Sequence, residues 1–187
     1  MLFRSLFLII PITFNNDKRA NIIQSNLIKN YNFKVSKYDK IKYKVFPLPN
    51  LEYKNVIIDL DSGEINFKTQ TLKVYPNILS LYNFNDFQIK KIILKNSNIN
   101  LKTSFLNEAN KIFNQKNKLY LNNFNIQIID KSNPIFKIKN INYSNYSYNK
   151  DLITGEIFGK KFKSKIDSNF KNINFKFPSS GISATLN

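Results

Sequence analysis

Acid–base chemistry near neutral pH would have to come from carboxylates, because the sequence contains neither histidine nor cysteine. Without imidazole or thiolate there is no Ser-His or Cys-His nucleophile pair, no soft-metal site and no disulfide framework. The acids are Asp17, Asp39, Glu52, Asp59, Asp61, Glu64, Asp86, Glu108, Asp130, Asp151, Glu156 and Asp167. Asp59 and Asp61 come nearest to a paired-carboxylate site. They stand in DLDSGE, however, where the glycine and small polar residues mark a turn between strands. No G-x-G-x-x-G, phosphate-binding loop or G-x-S-x-G occurs. The expectation is a protein that is not an enzyme, with no catalytic residue, no metal site and no cofactor.

Charge is the second chemical signal. Lys and Arg number 29 against 12 acids, a formal charge of +17 over 187 residues. Such a balance suits a polyanion or an anionic membrane surface. Asn, Lys, Ile, Phe and Tyr are over-used while Ala, Gly, Arg and Trp are scarce or absent, the bias that an A/T-rich coding sequence produces whatever the function. The lysines are also spread singly, as in IKYKV and FKIKN, which suits the wet face of alternating strands better than a binding patch. No nucleic-acid partner is expected.

These side chains need elements to place them. Residues 1–14 include LFRSLFLIIPITF, with Leu2, Phe3, Leu6, Phe7, Leu8, Ile9 and Ile10 as its apolar content. The run is shorter than the roughly 20 residues needed to cross a bilayer. It can be read as a signal-peptide core, a buried strand or the end of a membrane anchor. No small-residue cleavage site follows it, and the preferred reading is a partial anchor. Residues 15–31 place Ala20, Ile23 and Leu27 at helical spacing behind an Asn/Asp cap, which predicts an amphipathic helix.

From residue 32 to 187 the period is two, and short strands rich in Ile, Val, Phe and Tyr follow one another. TSFLNEANKIF alone among the later segments has clear helical spacing, with PNILSLYNF as a short irregular link. Pro47 and Pro49 in KVFPLPNLEYKN cannot donate to a ladder, so they are expected to end the first short hairpin.

One phrase recurs: YKNVIIDL, LKNSNINL, LNNFNIQI and FKNINFKF, with IKNINYSN fitting except at its last position. In each, the apolar alternation before the Asn is out of phase with that after it. One inserted residue at Asn55, Asn96, Asn123, Asn140 and Asn172 accounts for this, because Asn tolerates the left-handed conformation of a bulge or sharp bend. Strands of this kind have one apolar face and few helices to cover it. The expected fold is therefore mostly β: a curled antiparallel sheet, a half-barrel or taco-like groove, with an N-terminal amphipathic helix and one short internal helix. Such a sheet must curl over itself, pack on a second sheet or leave an apolar trough.

An apolar anchor, then an amphipathic helix leading into YNFKVSKYDKIKYKVFPLPNLEYKNVII, resembles the N-terminal region of the AsmA-like proteins of Gram-negative bacteria. TLKVYPNILSLYNFNDFQIKKIILKNSNINL is similar to that family's strand, leucine-containing link and I-x-L-x-N-x-x-I-N-L strand. KLYLNNFNIQIIDKSNPIFKIKNINYS and ITGEIFGKKFKSKID resemble its strand–Asp-turn–strand pairing and its Gly-containing strand, with Gly155 and Asp130 as the turn and bulge residues. The resemblance runs from Pro11 to Asp167. At the ends the anchor is half length and GISATLN reads as mid-strand, which implies a fragment of a longer, C-terminally truncated β-rich domain over 32–187.

The resemblance implies a protein tethered in the bacterial inner membrane by one N-terminal anchor, with its bulk in the periplasm, related to bridge-like lipid-transfer proteins. The implied function is phospholipid transport or outer-membrane assembly, with phospholipid, the inner membrane and other envelope proteins as partners. Candidate groove-floor residues are the in-phase pairs after each corner: Ile58 and Leu60, Ile99 and Leu101, Ile126 and Ile128, Phe175 and Phe177. Packing of these pairs as ordinary core stays open. So do two other functions, a basic nucleic-acid-binding β-module and a structural envelope or surface β-protein.

Overall fold

The computed structural model describes residues 16–44, 46–60, 65–77, 80, 87–131, 133–166 and 173–186. The elements in order are α1 (Asn16–Tyr31), β1 (Phe33–Lys37), β2 (Lys40–Lys44), β3 (Asn50–Leu60), β4 (Asn66–Pro76), β5 (Ile89–Lys102), a 3-10 turn (Thr103–Phe105), α2 (Leu106–Phe113), β6 (Lys118–Asp130), β7 (Asn133–Ser144), β8 (Leu152–Ile157), β9 (Lys160–Ile166), β10 (Ile173–Phe177) and β11 (Ile182–Leu186). All eleven strands form one open curled sheet in the order β1-β3-β4-β5-β6-β7-β8-β9-β10-β11, with β2 also paired to β3. Neighbours are antiparallel except β5 and β6, which run parallel. The fold is thus the mostly-β curled sheet with two helices that the alternation predicts. The parallel pair departs from an all-antiparallel sheet because α2 carries the chain back across it.

The asparagine corners are real. Asn55, Asn96, Asn123 and Asn140 have φ of 50°, 54°, 56° and 53°, the left-handed region that Asn enters more readily than other non-glycine residues; Asn172 lies outside the described residues. Each corner flips the burial phase of its strand. In β5, Ile92 and Leu94 face inward before Asn96, and Ser97, Ile99 and Leu101 after it. The corners line up. Lys54 pairs with Thr71 and Val56 with Thr69, while Lys95 pairs with Asn122 and Ser97 with Phe124, so Asn55, Gln70, Asn96 and Asn123 share one row across the sheet.

Their amides join along this row, Asn123 Nδ2 donating to Asn96 Oδ1 at 2.8 Å and Asn96 Nδ2 to Gln70 Oε1 at 2.8 Å. Asn125 Nδ2 donates in the same way to Asn98 Oδ1 at 2.9 Å. The repeated phrase now has a cause: LKNSNINL and LNNFNIQI lie side by side in the parallel pair, Leu94 beside Leu121 and Ile99 beside Ile126, so like positions meet like surroundings.

Helix α1 ends where Asn32, at φ 56°, donates its N–H to Ile28 O, a left-handed cap. Its Ile23, Leu27 and Tyr31 are buried against the sheet, with main contacts on β1 and β5. Gln24 of α1 both donates to Val35 O and accepts from Val35 N, which satisfies the outer backbone groups of the edge strand β1. Helix α2 adds buried Ile112 over β5, and Phe113, whose ring meets Tyr143 of β7 edge-on at 5.3 Å.

Pro47 and Pro49 fall in the β2–β3 hairpin loop as expected. Gly155 does not form a turn. It lies within β8, where a Cβ would come within 2.9 Å of the Phe162 ring, so glycine is there for close approach. Asp130 opens the β6–β7 hairpin opposite Asn133. The strand over Lys160–Ile166 was not separable from ITGEIF by alternation, since only Phe158 and Gly159 intervene.

Candidate functional site

Beginning from side chains, one row of apolar residues crosses seven strands on the inner face. Val35, Ile58, Phe67, Ile99, Ile126, Ile138 and Ile157 are consecutive register partners from β1 to β8. Their exposure changes along the row. Ile58, Phe67 and Ile99 are 0–1% exposed, Ile126 is 6%, and Ile138 and Ile157 are half-buried. The helices explain the first part, because they seal the face over β3 to β5 and add their own apolar residues to one continuous core.

Past β7 the same face goes on without that cover. Tyr143, Ile153, Ser164, Phe175 and Ala184 form a second row of register partners across β7 to β11. Next to it Gly155 pairs with Phe162, whose ring lies 6.0 Å from Phe175 and 6.5 Å from Phe177. Ile153, Phe175 and Phe177 are half-buried, Ala184 is exposed and Ile182 is 58% exposed. Ser164 is the polar break in this floor, buried and with its hydroxyl unpartnered. The arrangement is an apolar strip about four strand spacings, or roughly 19 Å, wide. It carries no acid–base pair and no cluster of metal-ligating residues among those described. What it can do is hold apolar chain.

The opposite face is wet. Every lysine whose side chain is described is exposed or half-buried. At one end of that face Glu52 is buried and ion-paired with Lys44 and Lys54 at 2.8 Å and with Lys73 at 3.4 Å. Burial pushes its carboxyl up, but the hydrogen bonds and charges of Lys44 and Lys54 outweigh this and hold its pKa at about 2. Burial also raises the pKa of Tyr31, Tyr53 and Tyr143, so all three are neutral phenols in the core. Tyr31 donates to Lys118 O and Tyr143 to Phe113 O.

The eight expected floor residues divide. Ile58, Leu60, Ile99 and Leu101 are at most 4% exposed and belong to the helix-covered core; Ile126 and Ile128 stand at its margin; Phe175 and Phe177 lie on the open strip. Sequence reasoning missed Ile138, Ile153, Gly155, Ile157 and Phe162. The alternation in IFKIKN, LITGEI and KKFKSKI is the signal that could have found them. The proposed anchor residues Leu2, Phe3, Leu6, Phe7, Leu8, Ile9 and Ile10 lie outside the described residues, and among those described no helix is long and apolar enough to cross a membrane.

Fold and surface together define a two-faced, open β-sheet, sealed by helices at one end and apolar but only partly covered at the other. No protein-family model matches the chain, and no curated protein matches it.

Proposed function

We propose that the chain is a lipid-carrying β-groove of the AsmA-like type, held at the bacterial inner membrane with its sheet in the periplasm, and that the strip on β7 to β11 receives phospholipid acyl chains. One observation supports this above others: the apolar face that is closed over β3 to β5 continues past β6, first as half-buried Ile138 and Ile157 in the same register row and then as half-buried Ile153 and Phe175 in a second row beside it, with Phe177 two residues further along β10. A methylene gains about 0.8 kcal/mol on full burial and about half of that on an open floor, so some fourteen methylenes gain roughly 6 kcal/mol without any catalytic group. Headgroups remain in water, and lipids can slide along the floor.

The test is native mass spectrometry of the purified chain, followed by loading of delipidated protein with a fluorescent phospholipid. Co-purifying phospholipid and saturable loading, weakened several-fold by Phe175→Asp, are expected. A delipidated sample that takes up no phospholipid would sink the proposal.

A further inference from the structure

The strands that offer an apolar floor on one side carry a comb of lysines on the other. The alternation of KKFKSKI sends Phe162, Ser164 and Ile166 inward and places Lys161, Lys163 and Lys165 on the outer face, about 6.6 Å apart along β9. Lys176 of β10 is the direct register partner of Lys163, and Lys139 of β7 faces Glu156, which in turn faces Lys161. Five lysines thus share three strand spacings with one acid. Among the described residues none of the five is in an ion pair, and like charges directly opposite each other on a sheet repel. The other end of this face treats the same problem differently, since Lys44, Lys54 and Lys73 converge there on buried Glu52.

Two clefts meet on this comb, sharing Lys163. One of about 680 Å³ includes Asn142 and Thr154, and one of about 520 Å³ includes Asn174 and Thr185. Their aromatic residues, Phe162 and Phe175, belong to the inner face and meet each other at a 51° tilt rather than presenting a platform for bases. Thr154, register partner of Lys163, and the Nδ2 of Asn174, register partner of Lys165, stand beside the lysines and match sugar hydroxyls, while Asn174 Oδ1 is held by Thr185.

We propose that the outer face of β8 to β10 binds an extended acidic glycan, its anionic groups lying between Lys163 and Lys176 and its hydroxyls against Thr154 and Asn174. The lysine side chains leave the sheet on the side opposite the apolar strip, while the clefts beside them also reach Phe162, Ser164, Phe175 and Ala184 of the strip, so the test is read on delipidated protein. The full chain would be titrated at low salt with a fluorescent oligogalacturonate, a neutral dextran oligomer and an oligothymidylate of matched charge, with anisotropy as the readout. Expected results are salt-sensitive binding of the oligogalacturonate, none of dextran, and about tenfold weaker binding for Lys163→Gln/Lys176→Gln. Both lysines are exposed and mutually repulsive, so that variant keeps its fold, which circular dichroism would verify. A control pair, Lys34→Gln/Lys68→Gln, removes the same charge elsewhere and should change affinity less than about twofold. Equal losses in the two variants, no binding of oligogalacturonate, or tighter binding of oligothymidylate would each overturn the proposal.

Discussion

Strands β3 to β5 and strands β8 to β10 are built from similar alternating sequence, yet they solve the problem of an apolar face in opposite ways. Over β3 to β5, α1 and α2 supply Ile23, Leu27, Tyr31 and Ile112, and the inward residues disappear from solvent. Over β8 to β10 the cover is local: Phe162, Ser164 and Ile166 of β9 are buried, Phe162 beneath Phe175 and Phe177, while Ile153, Ile157, Phe175 and Phe177 stay half-buried. The outer faces differ too: in the first region Lys44, Lys54 and Lys73 converge on one buried carboxylate, Glu52, whereas Lys161, Lys163, Lys165 and Lys176 of the second pair with none among the described residues. The first region closes its apolar surface with helices and gathers three lysines on a buried acid; the second closes its surface only in part and leaves those lysines without an ion pair among the described residues.

The sharpest way to break the comparison is truncation on each side. Phe67→Ala, in the sealed region with rings of Phe33 and Phe124 against it, is expected to cost about 4 kcal/mol in urea unfolding, whereas Phe177→Ala should cost about 1 kcal/mol. Comparable losses at both sites would mean that the second region is an ordinary core.

Gly155→Ala comes next. The added methyl meets the Phe162 ring at 2.9 Å and Lys139 O at 3.2 Å, and should cost about 2 kcal/mol. Adding Phe162→Leu should recover part of that loss in a double-mutant cycle.

At the corners, Asn123→Ala should cost about 1–2 kcal/mol because alanine resists the left-handed backbone, and Asn123→Gly appreciably less. If glycine proves as damaging as alanine, the amide row and not the backbone angle is what holds the corner.

The smallest effect is electrostatic. Glu52 has a folded pKa near 2 against an ordinary 4.5, so its contribution is present above about 4.5 and is lost as pH falls toward 2. The stability gap between wild type and Glu52→Gln should therefore shrink over that interval. At the other extreme, the tyrosines whose pKa is raised contribute stability that is complete below 10 and declines as pH climbs past it.

The corners were legible because a phase flip at Asn is a local event, written in eight residues. The helices and most strands were legible for the same reason, through period. The meeting of LKNSNINL with LNNFNIQI was not, since parallel pairing depends on how α2 returns the chain and leaves no mark in either strand. Nor could sequence separate Ile58 from Phe175 as floor residues. Both sit three places beyond the Asn of the repeated phrase, and only the packing of α1 and α2 on β1 and β5 makes one core and leaves the other half-buried. Gly155 misled for a related reason: a glycine that admits a neighbouring ring looks in sequence like one that turns the chain.

The division into a sealed and an open region can be tested directly with a phospholipid carrying a photoreactive group midway along one acyl chain. After loading and irradiation of the full chain, crosslinks read by peptide mass spectrometry should fall within residues 133–186 and spare residues 51–102. Crosslinks on β3 to β5, or scattered equally over both regions, would contradict the account.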